Sequence, residues 1–130
     1  MTIEERYELS CYQELTKLDD SKNIWLVRHN ESGMIYIKKE LQWFNRDIYR
    51  RLQNADLPDI PKIKLCICEE SVLTVIEEYI HGLTLEQFME QNGTFSEEKA
   101  VSIAFAVCDI LEPLHTSQPP IVHRDIKPSN

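Results

Sequence analysis

Glycine is scarce in this chain, with three among 130 residues alongside six prolines. No Gly-, Ser- or Pro-rich linker, low-complexity tract or internal repeat interrupts it, so it reads as one folded unit. Long apolar runs are absent as well. Nothing approaches the roughly 20 residues that span a bilayer, and the acidic start MTIEERYELS lacks the basic and apolar regions of a signal peptide. Positive charge is short: 14 Lys and Arg stand against 22 Asp and Glu, a net charge of −8. Such a balance repels phosphate backbones and anionic lipid, so no nucleic-acid partner is expected. The four cysteines (Cys11, Cys66, Cys68, Cys108) show no disulfide-framework spacing. They read as reduced thiols of a cytoplasmic protein, and no second Cys or His pair completes a metal site with Cys66 and Cys68.

What is present is enough apolar residue, 42% of the chain, for a packed core. Ile24–His29 and Met34–Lys39 flank a turn containing Gly33 and predict a hairpin. Apolar residues at Leu41, Phe44, Ile48 and Leu52 have helical spacing, and the helix should end near Pro58 and Pro61. Ile63–Cys68 and Val72–Ile76 predict two more strands around Glu69-Glu70-Ser71. After Gly82 the pattern turns helical. Thr84 and Gln87 form a capping box for a helix over Leu85–Gln91, stopped at Asn92-Gly93. Ser96 caps a second helix with an apolar stripe of Ala100, Ile103, Ala104, Val107, Ile110, Leu111 and Leu114, which Pro113 should bend or end near His115.

The chain closes on His123-Arg-Asp-Ile-Lys-Pro-Ser-Asn130, which puts a base, a cation and an amide oxygen within six residues. This string resembles the catalytic loop of eukaryotic-like, bacterial-type serine/threonine protein kinases. Lys127 fits the serine/threonine pattern. The resemblance implies an α+β fold: a kinase small lobe of antiparallel sheet plus one short helix with its hinge over 1–80, then the first helices of the large lobe over 81–130, truncated at the catalytic loop 123–130. It implies that Asp125 orients and deprotonates a substrate hydroxyl, Lys127 balances γ-phosphate charge and Asn130 holds Mg²⁺, with ATP as co-substrate and a protein as acceptor.

Ile24–Lys39 is similar, without gaps, to the family's second and third strands, with Tyr-Ile-Lys-Lys in place of Tyr-Ala-x-Lys. By resemblance Lys39 anchors phosphate, and Ile24 and Ile37 lie beside the nucleotide. Lys38 is the alternative, disfavoured because bulky Tyr36 would then stand where adenine needs a small side chain. Val75–Gly82 resembles the hinge, where the backbone carbonyl of Glu78 and the backbone of Ile80 would meet adenine.

Three departures accompany the likeness. Leu18–Asn23 replaces the family's Gly-rich loop without a glycine, and Asp19 and Asp20 would repel a triphosphate. Asn45 falls where the family places a helix glutamate that pairs with the lysine, and Asp47 lies about 200° round the helix from that position. Glu77, at the back of the nucleotide pocket, is then the expected partner of Lys39. The apolar helix 97–115 would lie bare without further helices, predicting homodimerisation. Three functions follow, of which two lead: part of an ATP-dependent serine/threonine protein kinase, inactive as this isolated chain, or a regulatory module of pseudokinase type without catalysis. A small-molecule kinase of the same fold is the third.

Overall fold

The structure, a computed structural model, describes residues 1–130. Two compact units emerge instead of one: Met1–Leu57 with Pro61–Ile80, and Pro58–Ile60 with His81–Asn130. Their cores differ in kind. The first is built on a sheet buried on two faces, whereas the second is helical.

In the first unit, α1 (Ile3–Ser10), β1 (Tyr12–Asp19), β2 (Ile24–His29), β3 (Ile35–Leu41), α2 (Arg46–Asn54), β4 (Ile63–Glu69) and β5 (Val72–Glu78) follow one another. The strands form an antiparallel sheet in the order β1-β2-β3-β5-β4. Residues opposite each other across an antiparallel pair share a face, and the faces alternate along each strand. One face carries the cluster Val27, Tyr36, Leu65, Ile67 and Ile76, covered by Leu9, Tyr12 and Trp25. The other carries Ile63, Leu73 and Val75, covered by Leu41, Phe44, Tyr49 and Leu52. A bulge separates the pairs Ile63↔Glu77 and Leu65↔Ile76. One extra residue, Lys64, thus turns Ile63 onto the α2 face while Leu65 and Ile67 stay on the α1 face. Its carbonyl accepts a bond from Gln53 Nε2 of α2 at 3.4 Å.

The hairpin β2–β3 forms as its sequence predicts, with Gly33 at φ 69°, a left-handed conformation that costs glycine little. The helix after β3 is displaced. Leu41 ends the strand, and α2 starts only at Arg46 because the Asn45 side chain accepts from the N–H groups of Asp47 at 3.1 Å and Ile48 at 3.4 Å. Periodicity alone placed its start too early. The N-terminal helix was not foreseen at all, although its capping box is legible: Glu5 N–H donates to Thr2 Oγ1 at 3.1 Å and Thr2 N–H to Glu5 Oε2 at 2.7 Å.

In the second unit α3 (Leu85–Asn92) is capped by Thr84 and Gln87 and ends at Gly93. The next helix, α4 (Glu97–His115), starts at Ser96 and runs through Pro113 to His115. Leu114 and Ile121 are buried, and Ile121 N–H donates to the Leu114 carbonyl at 2.9 Å. Phe88 and Phe95 stack at 5.3 Å. The expected stripe is only partly bare: Ile103, Val107, Ile110 and Leu111 are half-buried, and the large exposed apolar side chains of α4 are Val101 and Phe105.

Candidate functional site

The register decides which lysine shares a face with which carboxylate. Lys39 stands opposite Ile24 on β2 and Val75 on β5, and Ile37 stands opposite Glu77. Ile24, Ile37, Lys39 and Glu77 therefore occupy one face of the sheet, the face that α2 covers. Lys39 Nζ forms an ion pair with Glu77 Oε1, with the lysine side chain 32% exposed and the glutamate 16%. The two are diagonal neighbours across β3 and β5, within reach of long side chains. Tyr49 of α2 lies near this carboxylate. Its hydroxyl pKa is pushed up by burial first and then by the Glu77 charge.

Lys38 points to the opposite face. Its Nζ meets Glu14 Oε1 at 2.7 Å and Glu40 Oε1 at 2.8 Å and lies 4.9 Å from the Trp25 ring centroid. Burial by itself would lower its pKa, but hydrogen bonds to Glu14 and Glu40 reverse that and raise it. Lys38 is fully occupied in bracing β1 against β3.

The glycine-free turn between β1 and β2 has its own local chemistry. Asp19 Oδ1 accepts from Ser21 N–H at 2.9 Å and from Ser21 Oγ at 2.6 Å, an Asx turn, and the Asp19 carbonyl accepts from Lys22 N–H at 3.3 Å. The hydroxyl and amide of Ser21 hold the Asp19 carboxyl below the usual carboxylate range. No left-handed residue occurs in this turn, so no glycine is required. Two amides of the turn, those of Ser21 and Lys22, are bound to Asp19. Asp19-x-Ser21 was the readable signal for this, and sequence reasoning weighed only its charge.

At the end of β5, Glu78 exchanges bonds with Lys62: its N–H donates to the Lys62 carbonyl at 3.0 Å, and its Oε2 accepts the Lys62 N–H at 3.0 Å. The Glu78 side chain is thereby committed to the sheet edge. Ile80 is 61% exposed.

The loop 123–130 in the second unit brings together three of the residues singled out in the sequence. Asn130 Nδ2 donates to Asp125 O at 2.8 Å and to Asp125 Oδ2 at 3.1 Å, and Lys127 Nζ lies 3.5 Å from that same Oδ2. Asp125 N–H donates to His123 Nδ1 at 3.2 Å. Between them Arg124 takes φ 68°, a left-handed conformation unusual for a long side chain. Pro128 O accepts from Glu86 N–H at 2.9 Å, tying the loop to the first turn of α3. The result is an exposed carboxylate beside an ammonium, with an amide that binds the carboxylate through nitrogen. The Asn130 amide oxygen takes no part in holding the loop, and a neutral hard oxygen of this kind suits Mg²⁺.

Asn130 first, and then Lys127, hold the Asp125 carboxyl below its ordinary range. A depressed carboxyl contributes its stabilisation above the ordinary carboxylate range and loses it as pH falls through the lowered value. In a carboxyl NMR titration, Asn130→Ala should move the Asp125 midpoint upward. An unchanged midpoint would show that the amide contact does not form in solution.

Residues 22–130 match the protein kinase domain family. Serine/threonine-protein kinase B of Synechocystis sp. is 27% identical over 101 residues, covering 78% of this chain and 17% of its own length. Serine/threonine-protein kinase PrkC of Bacillus subtilis is 33% identical over 90 residues, covering 67% of this chain and 14% of its own length. Serine/threonine-protein kinase tousled-like 1 of Caenorhabditis elegans is 28% identical over 128 residues, covering 98% of this chain and 12% of its own length. The chain thus spans less than a fifth of these relatives. Its antiparallel sheet with α2 corresponds to the kinase small lobe, and its later helices to the start of the large lobe. With most of its length matched, the chain belongs to the protein kinase domain family, as an N-terminal part of a bacterial-type serine/threonine kinase domain.

Proposed function

We propose that this chain carries the nucleotide-binding and catalytic-loop residues of a cytoplasmic ATP-dependent kinase that phosphorylates serine or threonine hydroxyls of proteins. The observation that carries the reading is the clustering of Asp125, Lys127 and Asn130 on one loop. ATP brings the transferable phosphoryl group, whose bond to the leaving diphosphate oxygen breaks, and Mg²⁺ held at this loop would supply positive charge to offset that of the phosphates. Asp125 orients the acceptor hydroxyl and takes its proton as the new oxygen–phosphorus bond forms. Lys127 offsets the charge on the moving group, and Asn130 would hold the metal through its amide oxygen. On the sheet face Lys39 binds phosphate, Ile24 and Ile37 flank the base, and the backbone of Glu78 and Ile80 reads its edge. A regulatory module that binds nucleotide without transferring phosphate is the second reading. The commitment of the Ser21 and Lys22 amides to Asp19 favours it.

Isoleucine methyl NMR with Mg-ATP tests the site. The δ1 methyls of Ile24 and Ile37 should shift saturably, while Ile67 and Ile76 on the opposite face stay fixed. No saturable shift, or shifts confined to Ile67 and Ile76, would overturn the reading.

A further inference from the structure

The geometry points to Glu77 as the positioning residue for Lys39, so that the phosphate-binding lysine is held from within the sheet and independently of α2. The inference rests on the proposed reading of the Lys39 face as a nucleotide site, and three observations carry it.

The ion pair itself joins β3 to β5, two strands directly hydrogen-bonded to each other along Tyr36–Leu41. Both backbones belong to the best-buried part of the first unit, beside Val75 and Ile76, which are 0% exposed. A carboxylate only 16% exposed costs free energy unless a cation accompanies it. Lys39 is its ionic partner, and no other Lys or Arg is paired with it.

The helix, meanwhile, has no means of holding the lysine. Asn45, where the resemblance calls for a glutamate, spends its side-chain oxygen on the amides of Asp47 and Ile48. The sole acidic residue of α2 is Asp47, exposed in the first turn. What α2 contributes is Tyr49, packed in the apolar cluster and close enough to feel the Glu77 charge. A neutral phenol at that position does not neutralise the pair.

It follows that movement of α2 would not uncouple the lysine from its anchor. A helix-borne glutamate makes phosphate binding depend on where the helix sits; a strand-borne one removes that dependence.

The test compares binding of Mg-ATP with binding of adenosine, which reports the base site alone. For the wild-type chain Mg-ATP should bind more tightly than adenosine. Glu77→Gln, nearly isosteric, should weaken Mg-ATP about tenfold and leave adenosine within about twofold, as expected for loss of one charge-assisted contact. Lys39→Met should do the same, and the double variant should lose little more than either single one, because each removes the same unit. Asn45→Ala and Asp47→Ala should leave both ligands within about twofold. Equal loss of Mg-ATP and adenosine in Glu77→Gln would reduce Glu77 to a structural residue and overturn the inference. So would retained Mg-ATP affinity in Glu77→Gln, or an Asp47→Ala loss as large as that of Lys39→Met. A wild-type chain that binds Mg-ATP no better than adenosine would overturn the reading of the site beneath it as well.

Discussion

Ile76→Ala is expected to lower the unfolding free energy of the first unit by about 3 kcal/mol, within the roughly 2–5 kcal/mol found when large aliphatic core side chains are truncated. Ile76 is 0% exposed and sits on the central pair of the sheet, opposite Lys38 on β3 and Leu65 on β4. It packs in one cluster with Val27, Tyr36, Leu65 and Ile67, whose backbones are fixed by strand pairing. Collapse onto the lost methyls is therefore limited, and the cavity persists. A small domain has only about 5–15 kcal/mol to lose, so the melting temperature should fall by roughly 10–20 °C. Ile3→Ser makes the control: Ile3 is 88% exposed, and its replacement should change stability by less than about 0.5 kcal/mol. Urea titration of both variants checks the pair. Equal effects would mean that the α1 face of the sheet is not a packed core.

Much of this architecture was legible. The β2–β3 hairpin followed from alternating apolar residues about Gly33, and α3 and α4 from the polar caps Thr84 and Ser96. Those signals are local: a side-chain oxygen reaching an amide a few residues away needs no tertiary context. The start of α2 was not legible from periodicity, since Leu41 and Phe44 cover the same cluster as Leu52 without lying in the helix. Apolar spacing marks what is buried, and only the Asn45 cap marks where the helix begins.

The candidate site divides in the same way. The loop 123–130 could be read because its residues interact over at most five positions. The Lys39–Glu77 pair was expected from the lack of a carboxylate at Asn45, but strand register decides which lysine shares a face with Glu77. One residue of slip would have put Lys38 on that face and Lys39 beside Trp25. The Asx turn at Asp19 was missed because the absent glycines drew the reading toward charge alone. The carboxylate in fact takes the Ser21 amide, one backbone donor of the turn.

Lys39→Met should weaken Mg-ATP binding about tenfold, the lower end of what is expected on removing a cation whose hydrogen bonds to charged oxygens are worth roughly 1.5–3 kcal/mol. Lys38→Met removes the same charge one residue away. Lys38 is already held by Glu14 and Glu40 on the far face, so its loss should cost some stability through those contacts and leave affinity within about twofold. The neighbouring lysine thus controls for net charge, which a long-range electrostatic effect would sense equally at either position.

The central claim is that one face of this sheet, marked by Lys39 and Glu77, receives the nucleotide phosphates. Calorimetric titration of Mg-ATP into the wild-type, Lys39→Met and Lys38→Met chains tests it most directly. The account predicts a large loss for Lys39→Met and near-wild-type binding for Lys38→Met; equal affinities in both variants, or a loss confined to Lys38→Met, would contradict it.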